Sequence, residues 1–175
     1  VEGPNGTGKT SLLRILAGLS QPYSGEVKYQ DTHINDCREE YCQDLLFLGH
    51  LAGVKNEMTA QENLEFNLNI HCQAADQAEQ ILQKVNLLGF EDAPASNLSA
   101  GQHRRISLAR LWQSDAKIWI LDEPFTAIDK AGVKKLEALF LKHAQNGGVV
   151  VLTTHQDLSY SPDQYQKITL EYRFY

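Results

Sequence analysis

Apolar and polar residues follow two periods along this chain, and each period predicts one type of secondary structure. Continuous apolar runs at Leu45–Leu48, Ile118–Leu121 and Val149–Leu152 are typical of strands that are buried on both faces. Between residues 168 and 174 apolar and polar positions alternate one by one, which predicts a half-buried strand. A further short strand is predicted at residues 26–29, directly after a Ser-Gly turn.

Helices are predicted where apolar residues recur every three or four positions. This spacing occurs in residues 12–19, 75–88 and 133–140. A fourth helix is expected over residues 99–112, because this stretch opens with the Ser-x-x-Gln spacing of a capping box.

The stretch after residue 58 carries two conflicting signals. Thr59 and Glu62 have the spacing of a second capping box, which predicts that a helix starts there. The apolar residues from Leu64 to Ile70 instead alternate with polar ones, which is the period of a strand. We expect a helix over this stretch.

The order of these elements indicates the fold class. Strands that alternate with helices, with polar side chains directly after the strands, indicate an α/β fold with its ligands at that edge of the sheet. We therefore expect the sheet and its helices in residues 1–57 and 114–175, and an inserted helical subdomain in residues 58–113.

Composition narrows the range of partners and sites. The chain of 175 residues has 42% hydrophobic and 22% charged residues and a net charge of −6, which argues against a nucleic-acid partner. No apolar run approaches the roughly 18 residues of a membrane span. The three cysteines lack C-x-x-C spacing, so they indicate neither a disulfide framework nor a zinc site.

The first candidate site is a glycine-rich loop near the start of the chain. It matches G-x-x-x-x-G-K-[ST], the pattern of a loop whose backbone N–H groups bind phosphate oxygens. In this pattern the lysine reaches the outer phosphates and the hydroxyl residue helps to hold Mg²⁺. The candidate nucleotide ligands are Gly3, Pro4, Asn5, Gly6, Thr7, Gly8, Lys9 and Thr10, with Thr10 also a candidate Mg²⁺ ligand.

Three further candidates follow predicted strands. Asp122 and Glu123 come directly after an apolar run, so both carboxylates emerge at the tip of a strand. Beside a phosphate loop, Asp122 is expected to help hold Mg²⁺ and Glu123 to position and polarise the attacking water. His155 follows another strand at the same edge, where it could donate to the terminal phosphate. A structural role is the alternative for His155.

The predicted helix at Ser99 offers a second phosphate contact. Ser99 and Gln102 form the candidate capping box, and Gly101 would allow the backbone to approach a ligand closely. The capping role and the phosphate-binding role are compatible, and the pattern alone does not decide whether the second one applies.

Together these motifs resemble a known family. GPNGTGKT, LSAGQ, IWILDEP, TAID and TTH, in this order, resemble the Walker A, signature, Walker B, D-loop and H-loop motifs of ABC transporter ATPases. The resemblance implies one ABC ATPase domain over residues 1–175, with a RecA-like P-loop NTPase core sheet and an inserted helical signature subdomain. It implies an ATP hydrolase that uses ATP and Mg²⁺, with Glu123 as catalytic base.

The resemblance also implies how two copies assemble. In this family two protomers form a head-to-tail dimer, with each ATP between the Walker A loop of one copy and the signature motif of the other. Ser99, Gly101 and Gln102 would then bind the nucleotide that the partner holds.

Longer runs are similar to one subfamily. LSAGQHRRISLARLWQS and WILDEPFTAIDKAGV look like the ATP-binding subunit of the cytochrome c maturation transporter, a haem exporter of Gram-negative bacteria. This implies a polytopic membrane subunit as partner, a peripheral position on the cytoplasmic face of the bacterial inner membrane, and ATP hydrolysis that drives release of a haem-loaded chaperone. The alternatives are an ABC ATPase for another substrate and a soluble ABC ATPase without a membrane partner.

Two features depart from the family pattern. The glutamine that usually follows the first core strand is replaced by His50, with Leu51 after it. An imidazole could take over the contact with a Mg²⁺-bound water, and a loop histidine without this role is the alternative.

The second departure lies at the start of the chain. Only Val1 and Glu2 precede the phosphate loop, where the family has a strand, a small antiparallel sheet and an aromatic residue that stacks on adenine. We therefore expect that the sequence is truncated at its N-terminal end.

Overall fold

The computed structural model describes residues 1–70, 73 and 75–172. By its contacts the chain divides into two compact units. The first contains residues 1–49, 116–124 and the chain from 140 onward, and the second contains residues 50–115 and 125–139. The sequence-based division placed residues 50–57, 114–115 and 125–139 with the sheet, whereas they lie in the second unit.

The predicted helices and the strands of the core sheet occur in the predicted order. The elements are helix α1 (Lys9–Leu16), strands β1 (Lys28–Tyr29) and β2 (Thr32–His33), helix α2 (Arg38–Gln43), strand β3 (Leu45–Leu48), helices α3 (Ala60–Ile70), α4 (Ala78–Lys84) and α5 (Ala100–Ala109), strand β4 (Ile118–Leu121), helix α6 (Lys130–Gln145) and strand β5 (Val149–Leu152). Two of these elements, β2 and α2, were not predicted. In the described part of the chain, three short 3₁₀ helices lie at Ala95–Asn97, Arg110–Trp112 and Pro162–Gln164.

The core of the first unit is a parallel sheet with the strand order β3-β4-β5. Leu45 pairs with Ile118, and Ile118 pairs with Val149, so the three strands start level with one another. The central strand β4 is the most deeply buried, with Trp119, Ile120 and Leu121 almost inaccessible to solvent. The parallel register brings the carboxyl ends of all three strands to the same edge of the sheet, where the α/β pattern places ligands.

Strand β5 is less buried than its apolar run predicted. Val149 is 53% exposed, Val150 and Val151 are only partly buried, and Leu152 alone is buried. A groove of about 340 Å³ runs beside this strand, and Phe140 lines its wall. The prediction of full burial was wrong here because an apolar run does not reveal whether both faces of a strand are covered.

Within its described residues, 168–172, the predicted strand forms a single bridge. Thr169 pairs in parallel with Glu2, through bonds from Glu2 N to Ile168 O (2.9 Å) and from Leu170 N to Glu2 O (2.8 Å). Since one residue on each side makes the pairing, no ladder develops, and Ile168 and Tyr172 are each half exposed. Phe174, the last apolar position of the predicted strand, lies outside the described residues.

The strand predicted at residues 26–29 is shorter than expected. It covers only Lys28–Tyr29 and forms a hairpin with β2. Gln30 and Asp31 connect the two strands with left-handed φ values of 48° and 64°. Two consecutive residues of this conformation form the turn that suits the twist of a tight hairpin.

The second unit is built on helices α3, α4 and α5. The conflict at residue 59 is resolved in favour of the helix, because Thr59 N donates to Glu62 Oε2 (2.8 Å) and Glu62 N donates to Thr59 Oγ1 (3.1 Å). The three helices share one apolar core, whose buried members are Ala60, Leu64, Leu68, Ala78, Ile81, Leu82, Val85, Leu87, Ile106 and Ala109.

A fully buried polar residue in this core secures the loop before α3. The side chain of Asn63 accepts a hydrogen bond from Lys55 N (2.7 Å) and donates to the carbonyl oxygens of Lys55 (2.9 Å), Met58 (3.3 Å) and Thr59 (2.9 Å). One amide thus satisfies four backbone groups, which offsets the cost of burying it. The loop from residue 55 to residue 59 is thereby attached to α3.

Candidate active site

The glycine-rich loop leads directly into the first turn of α1. Gly6 and Gly8 have left-handed φ values of 85° and 95°, which glycine adopts without steric cost. Gly8 is the N-cap of α1, and no side chain in the described part of the chain caps this helix end. The N–H groups of the first turn are therefore positioned to bind an anion, and the helix dipole favours one there.

Lys9 lies within the curve of this loop. Its side chain is largely buried, and its Nζ donates hydrogen bonds to Gly3 O (2.7 Å) and Pro4 O (3.1 Å). The hydroxyl of Thr7 also donates to Pro4 O, across 2.9 Å. These bonds hold the loop in a closed curve around the positive charge of Lys9.

Asp122 occupies the end of β4 and is almost fully buried. The Thr10 hydroxyl donates to its Oδ2 across 2.9 Å, and the Thr153 hydroxyl donates to its Oδ1 across 2.7 Å. The structure therefore brings together the two residues that the sequence proposed as Mg²⁺ ligands, although 112 positions separate them along the chain.

Glu123 and His155 form the second pair at this edge of the sheet. His155 Nε2 lies 2.9 Å from Glu123 Oε1, and both side chains are partly accessible to solvent. Because a carboxylate oxygen can only accept, Nε2 carries the proton in this bond. Glu123 adopts a φ of 50°, which is uncommon for a residue with a side chain and often marks a functional site.

Thr153 is a site residue that the sequence reasoning missed. Its oxygen accepts a hydrogen bond from Glu123 N (2.9 Å) while its hydroxyl donates to Asp122. It thus orients both carboxylate residues at once. The sequence did contain a signal for it. Thr153 comes directly after the apolar residues of β5, just as Asp122 comes directly after those of β4.

The proposed signature residues lie in the second unit. The capping box at the start of α5 is present as predicted, with bonds from Ser99 N to Gln102 Oε1 (2.8 Å) and from Gln102 N to Ser99 Oγ (3.2 Å). A Cβ atom on Gly101 would lie 2.9 Å from Ala127 O, so glycine is needed here for the packing of this unit itself. The Ser99 side chain is exposed and remains accessible to a ligand.

The sequence profile described as "ABC transporter" matches residues 1–126, a stretch that contains the glycine-rich loop, the α5 capping box and the Asp122-Glu123 pair. This chain belongs to the ABC transporter family. The resemblance inferred from the five motifs is therefore confirmed, and with it the α/β P-loop fold. As an ABC ATPase, the protein binds and hydrolyses ATP.

Closely similar relatives carry one name. The chain is 65% identical over 175 residues to a protein of Shewanella oneidensis named "Cytochrome c biogenesis ATP-binding export protein CcmA", and the match covers 99% of this chain and 81% of that protein. A Vibrio cholerae protein of the same name is 57% identical over 172 residues, with coverage of 97% and 83%. The similarity to the cytochrome c maturation subfamily is thus confirmed.

Solved structures of ABC cassettes share the fold. The dimeric structure of the ATP-binding cassette MJ0796 in a post-hydrolysis state with ADP and Pi has a TM-score of 0.76 and 27% identity, and covers 89% of this chain and 73% of that one. A putative ABC transporter ATP-binding protein from Pyrococcus furiosus has a TM-score of 0.77 and 27% identity, with coverage of 91% and 78%.

His50, which stands where ABC ATPases usually have a glutamine, lies in the loop after β3. It follows Gly49 and its side chain is exposed, and the neighbouring Leu51 is 86% exposed. The imidazole is therefore accessible to a ligand, and its role in sensing Mg²⁺ stays a prediction.

Proposed function

We propose that this ABC ATPase is the energy-supplying subunit of the cytochrome c maturation transporter, and that its ATP hydrolysis drives release of the haem-loaded chaperone. The observation that carries the proposal is the 65% identity, over 99% of the chain, to a protein named as a cytochrome c biogenesis export protein. An ABC ATPase that serves another substrate, or one without a membrane partner, is the alternative.

Mg²⁺ fits the pair formed by Thr10 and Asp122. Their oxygens Oγ1 and Oδ2 lie 2.9 Å apart, and Mg²⁺ prefers oxygen ligands of these hydroxyl and carboxylate types. We assign these two residues to hold the ion, with Thr153 fixing the other oxygen of the carboxylate. When bound, Mg²⁺ neutralises negative charge on the β- and γ-phosphate oxygens.

Glu123 is the general base in this proposal. The oxygen of water bonds to the γ-phosphorus as the bond from that phosphorus to the β–γ bridging oxygen breaks, and the water proton passes to the Glu123 carboxylate. The hydrogen bond from Glu123 N to Thr153 fixes the backbone of the base, and the bond from His155 Nε2 orients its carboxylate.

His155 has a second task in this scheme. Its side chain is about half exposed, so the ring can turn from Glu123 to the terminal phosphate when ATP is present. A donor in that position stabilises the charge that develops on the γ-phosphate oxygens. We assign His155 as the catalytic partner of Glu123.

Two copies of the chain complete two sites in the proposed assembly. The nucleotide on the Gly3–Thr10 loop of one protomer would be covered by Ser99, Gly101 and Gln102 of the other. The support is that α5 presents an exposed helix N-terminus with Ser99 at its cap, and that the similar cassette MJ0796 forms dimers. Helix N-termini bind phosphate groups readily.

A mixed dimer tests this arrangement. One protomer carries Lys9→Ala and the other carries Ser99→Arg. In the proposed dimer both substitutions fall in the same nucleotide site, and the second site keeps its native residues. The mixture should keep part of the ATPase activity, whereas either variant alone should have almost none. An inactive mixture would argue against the head-to-tail arrangement.

A polytopic membrane subunit is the second proposed partner. Among the described residues, no helix has both the length and the hydropathy of a membrane span. We infer that the protein reaches the cytoplasmic face of the bacterial inner membrane by binding this subunit, and the basis is the export function in the names of its relatives. Co-purification of the full-length protein with a polytopic subunit tests this.

Complementation separates the proposed substrate from the alternatives. In a host that lacks its own cytochrome c maturation ATPase, the full-length protein should restore covalent haem attachment to c-type cytochromes, measured on haem-stained gels. Glu123→Gln should fail, whereas Glu79→Gln, an exposed glutamate on α4, should succeed. If the parent protein hydrolyses ATP and binds its membrane partner but attaches no haem, the transporter has another substrate.

A further inference from the structure

The chain segment from residue 167 to residue 172 lies against the residues that flank the phosphate loop. Lys167 Nζ forms an ion pair with Glu2 Oε2 (2.8 Å), and Thr169 Oγ1 donates to Glu2 Oε1 (3.1 Å). The backbone bond from Leu170 N to Glu2 O adds a third contact. The segment is thus anchored to the residue immediately before the loop.

The same segment approaches the first glycine of the loop. A Cβ atom on Gly3 would lie 2.4 Å from Leu170 O, a distance at which no side chain can be accommodated without a backbone shift. Gly3 also has a φ of 147°, which side chains disfavour. The loop therefore starts in direct backbone contact with the segment.

Tyr172 contacts the apex of the loop. Its hydroxyl donates a hydrogen bond to Asn5 O, and its ring lies 3.9 Å from the position that a Cβ atom would occupy on Gly6. The peptide bond between Asn5 and Gly6 is trans, as are all those described. In a trans peptide the C=O and N–H groups point in opposite directions, so a bond that fixes Asn5 O also fixes the direction of Gly6 N–H.

The loop needs the bond from Tyr172 to Asn5 O because the next residue, Gly6, is flexible. Glycine populates positive and negative φ values with similar ease, so a peptide beside it rotates at low cost. Phosphate binding by such a loop depends on backbone N–H groups that already point at the anion. Without an external contact, the ordering of the Asn5–Gly6 peptide would have to occur during binding, at the expense of affinity.

We propose that Tyr172 is a positioning residue for the phosphate loop, and that its hydroxyl orders the Asn5–Gly6 peptide for ATP binding. Residues 167–170 hold Tyr172 at the loop through their contacts with Glu2 and Gly3. Tyr172 acts on nucleotide affinity and takes no part in the chemical step, because Glu123 and Asp122 are held by Thr153 without it.

The test is Tyr172→Phe in the full-length protein, with Tyr23→Phe as a matched control because the Tyr23 side chain is fully exposed. Removal of one neutral hydrogen bond should raise the Kd for ATP by about 2- to 13-fold, measured by isothermal titration calorimetry. At saturating ATP, kcat should stay at the parent value, and the melting temperature without ATP should fall by no more than a few degrees. Tyr23→Phe should match the parent in all three measurements.

Other outcomes overturn the proposal. An unchanged or lower Kd would show that the hydroxyl does not order the loop for ATP. Equal losses of affinity and kcat together with a lower melting temperature would show a general structural role. The proposal rests on ATP occupying the phosphate loop, and Lys9→Ala in the same assay tests that separately: if Lys9→Ala leaves the affinity intact, the loop assignment itself fails.

Discussion

The Thr153 hydroxyl donates a 2.7 Å hydrogen bond to Asp122 Oδ1, and both side chains are almost completely buried. The same Thr153 oxygen accepts the N–H of Glu123 at 2.9 Å. A single hydroxyl at the end of β5 therefore orients the two carboxylate residues at the end of β4. Register between the two parallel strands makes this possible, since Leu121 pairs with Leu152, the residue before Thr153.

Thr153→Val should weaken both the fold and the activity. Valine has nearly the same shape but cannot donate to Asp122 or accept from Glu123, and each buried group that loses a partner costs about 1–3 kcal/mol. With two such groups, we expect urea unfolding to show a loss of about 2–6 kcal/mol in the free energy of unfolding, and kcat to fall. Thr153→Ser keeps the hydroxyl and should lose less in both measurements. Equal losses in the two variants would assign the effect to packing.

Glu123→Gln should separate ATP binding from hydrolysis. Glutamine keeps the size of the side chain but cannot accept a proton from water, so hydrolysis should fall by about 10²–10⁴. ATP affinity should be nearly unchanged, and the protein should accumulate as an ATP-bound dimer on size-exclusion chromatography. Hydrolysis at the parent rate would refute the assignment of Glu123 as the base.

Gly3→Ala should destabilise the first unit, because the new side chain would collide with the segment from residue 167 to residue 172. The new Cβ atom would lie 2.4 Å from Leu170 O and 2.9 Å from Thr7 Oγ1. Gly25→Ala is the control, because Gly25 has a φ of 86° but no atom near the added Cβ. The control should lose about 1–2 kcal/mol in chemical denaturation from the left-handed backbone alone. Gly3→Ala should lose more free energy of unfolding than this control. A smaller loss would argue against the contact between Gly3 and Leu170 O.

Stability should fall in acid through His143. Burial lowers the pKa of this imidazole, although its hydrogen bond to Lys117 O opposes the shift. The ring stacks on Trp119 with the centroids 3.7 Å apart. The unfolded chain therefore binds the proton more readily than the folded chain does. The stability that the neutral His143 ring contributes is complete above the ordinary histidine pKa of about 6.5 and is lost as the pH falls below it. His143→Phe should have a flatter dependence of melting temperature on pH between neutral pH and about pH 5.

Asn63→Ala should release the loop before α3. The substitution removes the acceptor of Lys55 N, whereas the carbonyl oxygens of Lys55, Met58 and Thr59 lose one donor each and keep a second one from the backbone. Since a backbone group that loses its partner costs about 1–3 kcal/mol, we expect a loss of free energy of unfolding in this range. Hydrogen exchange at the Lys55 amide should accelerate. Asn69→Ala, on the exposed side of the same helix, is the control and should be close to neutral.

Local patterns in the sequence determined much of this protein. Four adjacent apolar residues predicted β3 and β4, and the glycine spacing predicted the loop that leads into α1. Two Ser/Thr-x-x-Glu/Gln spacings predicted the starts of α3 and α5, and both capping boxes are present. These features were predictable because backbone geometry and hydrogen bonding within a few residues decide them.

Tertiary structure alone decided the contacts between distant residues. The bridging role of Thr153 depends on the register of β4 against β5, and the exposure of β5 depends on what packs beside it. Gly3 was recognisable as part of a motif, but its contact with Leu170 O arises because the chain returns to the loop after more than 160 residues. The bond from Tyr172 to Asn5 has the same origin. Neither periodicity nor spacing encodes such pairs, because packing of the whole unit places them.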